Sequence, residues 1–192
     1  MFIENNKLVL RNYFFTHPTK KLRIRELARQ TQLPLPSISR YTKELTQEKI
    51  LQQVNIGSTT FYTTNRTSKE YKRAKQLHNI QQLHTTGLTD ELITQTHNSP
   101  IRLFGSYATA EDTEESDIDL FIQTQEQLNI NVKKYEQKLH REIQIFSEKN
   151  IRELKNPHLA NNIINGIPIN GYIEIFDETN NLQRMPRKQP GK

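Results

Sequence analysis

The chain has 192 residues, one third of them hydrophobic, no cysteine and a formal net charge of +6, a composition that suits two modest cores better than one large one. The lack of cysteine excludes disulfides and thiolate zinc sites, and the six histidines show no metal-ligand spacing, so any metal would be held by oxygen. No apolar run approaches the roughly 18 residues of a membrane span, and Met1 to Asn12 has no cleavable export pattern; the expected location is the cytoplasm.

The charge is divided unevenly. Residues 1–87 carry a net of +10 and residues 88–192 a net of −4. A basic half of this size implies a polyanion partner, nucleic acid being the usual one, with a merely solvated basic surface as the alternative. Within it, Leu8, Leu10, Phe14 and Phe15 recur at helical spacing and predict a first helix over 5–16, ending before Pro18. A short basic segment, Lys20 to Ile24, leads into a second helix carrying Ile24, Leu27 and Ala28. The stretch Leu33-Pro34-Leu35-Pro36 interrupts the chain, and a third helix is expected from Ser37 to Glu48 with Ile38, Tyr41 and Leu45 on one face. Two β-rich runs, ILQQVNI and TTFYTTN, flank Gly57-Ser58 and predict a hairpin.

Helix, basic strand, helix, helix, hairpin is an order that resembles a winged helix-turn-helix, particularly its MarR-like members, over residues 1–65. The resemblance implies that the third helix enters the major groove of double-stranded DNA and presents Ser37, Ser39, Arg40 and Lys43, with Lys20, Lys21, Arg23, Arg25 and Arg29 adding charge for phosphates. Solvent-facing polar positions are the plainer reading of the same residues. Residues 66–97 predict linker helices: Tyr71, Ala74, Leu77, Ile80 and Leu83 repeat at three-residue spacing, which serves a linker or a homodimerising helix, and Thr89 reads as the cap of a second short helix.

The most informative run is PIRLFGSYATAEDTEESDIDLFIQT. Ile101 to Phe104 and Ile118 to Ile122 read as buried strands, with Gly105-Ser106 as a sharp turn between them. Gly105 lets backbone approach a ligand, and the Ser106 hydroxyl with nearby amides can cradle phosphate oxygens. Asp117 and Asp119 alternate along a strand, so they share a face with α-carbons about 6.5–7 Å apart. Two carboxylates this close in an apolar setting suit a divalent cation bridged to phosphates; an Asp-x-Asp cap and turn at a strand start is the structural alternative.

Gly-Ser, ten residues, then Asp-x-Asp resembles the signature of the minimal nucleotidyltransferases of the DNA polymerase β superfamily, and Ser116 matches as well. The resemblance implies a small mixed-sheet domain over 98–179, in an α+β protein whose basic tail is residues 180–192. It further implies nucleotide binding at Gly105 and Ser106, Mg²⁺ held by Asp117 and Asp119, and ATP or another nucleoside triphosphate as substrate. Ala110 departs from the family's usual glycine or basic residue. The third catalytic carboxylate falls on Gln144, which cannot serve as an anionic ligand or a base; Glu142, one pleat away, is the candidate substitute. Resembling fusions carry an Arg-Glu-Ile-Asn-like segment at this place. Family members act as antitoxins that modify a tyrosine on a HEPN-type toxin, which implies such a partner protein. The readings from different classes are a transferase acting on that partner, a DNA-binding regulator with an idle nucleotide site, and an assembly module with neither activity.

Overall fold

In the computed structural model, residues 5–175 are described. The basic tail expected over 180–192, with the last residues of the domain expected to reach 179, lies outside them. Helix α1 (Asn6–Thr16) starts where the Asn5 side chain accepts a hydrogen bond from the Lys7 N–H, and it buries Leu10, Phe14 and Phe15. Helix α2 (Ile24–Thr31) ends at Gln32, which takes a left-handed conformation. Helix α3 runs from Leu35 to Gln47, starting two residues before the expected Ser37. Pro36 sits inside its first turn, where a missing N–H removes no helical hydrogen bond. Strands β1 (Leu51–Ile56) and β2 (Thr59–Thr64) form the expected antiparallel hairpin. The basic segment before α2 contributes one antiparallel bridge, Leu22 to Tyr62, rather than a strand.

Helix α4 (Lys69–Thr85) and helix α5 (Leu88–Gln95) follow. They do more than link. Tyr71 and Ala74 complete the N-terminal core, while Ile80, Leu83, Leu88 and Leu92 belong to the core of the sheet domain. The three-residue spacing picks the wrong member at Leu77, which is 69% exposed. The buried line on α4 is Tyr71, Lys75, His78, Asn79 and Leu83, a face that turns polar where the two halves meet. Thr89 is buried inside α5, and left-handed Gly87 stands at the N-cap in its place.

The rest is a four-stranded sheet in the order β5-β4-β3-β6, built from β3 (Ile101–Phe104), β4 (Ile118–Gln123), β5 (Ile143–Glu148) and β6 (Ile167–Asn170). Strands β4 and β5 are parallel and the other pairs antiparallel, so the sheet is mixed and the protein is α+β. Helix α7 (Lys133–Leu139) makes the β4–β5 crossover. Side-chain alternation divides β4 between two cores: Ile118, Leu120 and Ile122 face α4 and α5, while Phe121 joins Phe104 and Ile163 of helix α8 (Pro157–Ile164) on the opposite face. Ile173 lies beyond β6 and packs on the α8 cluster. No helix among the described residues is long and apolar enough to cross a membrane.

Candidate active site

Strand β3 ends at Phe104, whose β4 partner in the ladder is Asp119. The chain then turns at Gly105 (φ +72°) into the short helix α6 (Gly105–Thr109). A β-carbon at residue 105 would lie 2.1 Å from the Asp119 Oδ2 atom and 3.1 Å from its Cγ, well inside contact distance. The glycine is therefore required twice over, by backbone conformation and by the carboxylate that occupies the space a side chain would need. Ser106 is half-buried at this corner, and among the described residues its hydroxyl has no hydrogen-bond partner. Its carbonyl accepts the Glu111 N–H at 2.9 Å, and left-handed Ala110 closes the helix, a conformation that alanine adopts at a cost.

Asp119 is half-buried, and burial followed by the charge of Asp117 raises its carboxyl above the ordinary carboxylate range. A cation would relieve both causes. The two acids share the α8 face of β4, and β5 supplies their neighbours: the parallel register pairs Asp119 with Gln144, and the Ile118 N–H donates to the Glu142 carbonyl at 2.8 Å. The Gln144 amide nitrogen reaches to Asp117 Oδ2 at 2.5 Å. Glu142 and Gln144 are both exposed and alternate with buried Ile143, so they lie on one face, as the sequence predicts. No group of three or more acidic or histidine side chains able to hold a metal occurs among the described residues. Two carboxylates fit a single Mg²⁺ that takes its remaining ligands from water and substrate phosphates; they do not make an all-protein cage.

On the N-terminal half, Arg40 and Lys43 of α3 are exposed, and Ser37 and Ser39 are half-buried. Arg40 stacks over the Tyr41 ring at 4.4 Å, hydrogen-bonds to its hydroxyl and lies 3.7 Å from Glu44; Lys43 has no ion-pair partner among the described residues. Beside α3, a concave surface of about 860 Å³ is lined by Arg23, Arg25 and Arg29 of the α2 region and by Gln53 and Thr60 of the hairpin. The hairpin residues were not singled out by the sequence pattern, since exposed polar positions on a strand carry no signal of their own.

The family model described as "Polymerase beta, Nucleotidyltransferase" matches residues 87–171, and that described as "IclR helix-turn-helix domain" matches residues 13–55. A region similar to a helix-turn-helix domain is thus followed by one similar to a polymerase β-type nucleotidyltransferase domain. The helix-turn-helix match is of IclR type, where the element order suggested MarR-like members. No curated protein matches the chain significantly. Among solved structures, an IclR family transcriptional regulator from Brucella abortus is similar at 18% identity with a TM-score of 0.31, over 52% of this chain and 37% of that one.

The helix-turn-helix domain grips the loop of the nucleotidyltransferase domain that leads to the two acids. Thr19 donates its N–H and hydroxyl to the Glu114 carboxylate at 3.1 and 2.8 Å. Arg66, just after the hairpin, donates to the Glu111 carbonyl at 2.6 Å. Arg141 bridges the two domains, donating to the carbonyls of Glu114 at 2.9 Å and Thr16 at 3.2 Å. Behind them, buried Asp112 accepts from Lys75 at 2.8 Å and Asn79 at 3.1 Å. Ser116, next to Asp117, closes the loop by accepting the Thr113 N–H at 2.9 Å. None of these braces except Ser116 was legible in the sequence, because their partners lie tens of residues apart.

Proposed function

We propose that the chain is a Mg²⁺-dependent nucleotidyltransferase that moves a nucleoside monophosphate, AMP from ATP in the expected case, to an acceptor hydroxyl, and that its N-terminal half binds double-stranded DNA. The observation that carries this reading is the corner at which Gly105 has room only for the Asp119 carboxylate, with Asp117 beside it on the same face. In this reading Ser106 offers its unpaired hydroxyl to a phosphate oxygen, and Asp117 and Asp119 hold the cation. Bound Mg²⁺ would neutralise charge on the triphosphate as the bond to the leaving group breaks. Gln144 fixes the orientation of Asp117, and exposed Glu142 in the adjacent register is the group available to take the acceptor's proton. Ser37, Ser39, Arg40 and Lys43 face DNA. The resemblance to minimal nucleotidyltransferases suggests a tyrosine on a HEPN-type toxin as the acceptor, with homodimers of the chain repressing its own promoter in the cytoplasm.

The test is incubation with labelled ATP, Mg²⁺ and the product of the neighbouring gene. Wild type is expected to label the partner, and Asp117→Ala with Asp119→Ala to lower the rate on the order of a thousandfold, since two metal-holding carboxylates contribute several kcal/mol to charge stabilisation. Promoter binding by the double variant should be unchanged. A second reading is favoured by one observation: the neutral Gln144 amide occupies Asp117, where a third carboxylate would share the metal. In that reading the domain binds Mg-nucleotide without turnover and the protein is a transcriptional regulator. Absence of label transfer by wild type, with nucleotide and promoter binding retained, selects it.

A further inference from the structure

A second cavity, of about 190 Å³, lies where α1, α4 and the end of α7 meet, between the two domains and away from Asp117 and Asp119. Such a volume exceeds by an order of magnitude the roughly 15 Å³ that one water needs. Its lining includes Lys75, Lys138, Arg141, His78 and Asn12, and no carboxylate. Asp112, the acid paired with these cations, stands behind the wall with both oxygens already taken, one by Lys75 and one by Asn79, and 3.7 Å from Arg141. One carboxylate thus faces two buried cations, with Lys138 exposed at the rim. Two buried polar atoms of lining residues have no partner among the described residues: Arg141 Nε, a donor, and Asn12 Oδ1, an acceptor. Lys75, on its buried helix face, is pushed below the ordinary lysine range first by burial, and further by Arg141 and Arg66 against the opposing pull of Asp112.

A buried surplus of positive charge with an idle donor is costly unless a counter-charge enters. An idle acceptor in the same lining asks for a ligand that also carries a proton. Hydrogen phosphate has both properties at neutral pH, whereas sulfate only accepts. We infer that this interdomain cavity binds inorganic phosphate, held by Arg141, Lys75 and Lys138, with its hydroxyl donated to Asn12. Phosphate there touches α1 of the helix-turn-helix domain and α4 and Arg141 of the nucleotidyltransferase side, so it stabilises the junction that grips the loop before Asp117.

Thermal unfolding of the full chain tests this in phosphate, sulfate and chloride at equal ionic strength. Phosphate at ten times its Kd should raise Tm by roughly 3–6 °C over chloride, and sulfate should do less. Asn12→Asp, an isosteric change, places a fixed carboxylate in the lining that holds Arg141; it should raise Tm in chloride and abolish the phosphate response. Lys138→Ala, at the rim, should weaken phosphate about threefold to tenfold. Equal Tm values for wild type in phosphate and chloride would overturn the inference. So would a full phosphate response in Asn12→Asp, which would place the anion elsewhere, and a sulfate response equal to that of phosphate, which would remove the role given to Asn12.

Discussion

The corner at Gly105 and the outer face of α3 solve opposite problems. At Gly105 every atom is constrained: a left-handed backbone, a carboxylate where a side chain would be, and Gln144 donating to the neighbouring acid. On α3 the two cations expected to meet DNA, Arg40 and Lys43, hang outward, and the one with local partners, Arg40, rests on its own helix. A reacting phosphate must be held within a fraction of an ångström, whereas a duplex is met first by mobile charges that release its counterions. If the proposed function holds, the difference teaches that the crowded site is the one where bonds would change and the open one is where a polymer would be met.

Breaking that contrast begins at the junction that holds the two regions together. His78 is buried against Phe15, and burial, then Lys75 and Arg11, lower its pKa to about 4. The unfolded chain takes up the proton from about pH 6.5 downward, so this contribution to stability is intact above pH 6.5 and is lost as pH falls toward 4, by up to ~3 kcal/mol. Chemical unfolding from pH 7 to 4 should show that slope, and His78→Gln should flatten it; loss of signal from both domains in one transition would show that they open together. Next in size is Gly105→Ala, where strain and the 2.1 Å overlap with Asp119 should lower stability by about 1–3 kcal/mol and abolish Mg-nucleotide binding in calorimetry. Gln144→Asp should raise label transfer roughly tenfold or more at saturating Mg²⁺ if a third carboxylate is what limits the site; an unchanged rate would mean that it is not. Smallest is Lys43→Ala, expected to cost DNA binding ~1 kcal/mol, reduce the salt slope by about one and leave stability within ~0.5 kcal/mol.

The readable parts of the sequence are those whose chemistry is local. Gly105, Ser106, Asp117 and Asp119 fall within one strand-turn-strand unit, so spacing and the two-residue period of a strand suffice to bring them to one face. The helices and hairpin of the basic half follow from apolar periodicity and from the turn residues Gly57-Ser58 in the same way. Helix α4 defeats periodicity because its inward line includes Lys75, His78 and Asn79; a rule that looks for apolar residues skips these and lands on exposed Leu77. The grip of Arg66 and Arg141 on the acid-bearing loop is invisible for a different reason. Hydrogen bonds to backbone carbonyls, such as those Arg141 makes to Glu114 and Thr16, leave no pattern in side-chain type. That Gln144 would turn its amide to Asp117 could be asked of the sequence but not answered by it, since Glu142 stands on the same face.

Because α4 fills both cores, the chain has no place at which it can be halved cleanly. A protease cut after residue 65 takes Tyr71 and Ala74 from one core, and a cut after residue 85 takes Ile80 and Leu83 from the other. Either fragment would display an apolar face and be a substrate for further degradation. On the proposed function, turnover of the protein in the cell would then remove promoter occupancy and nucleotide chemistry in the same event, with no surviving half to carry on either one.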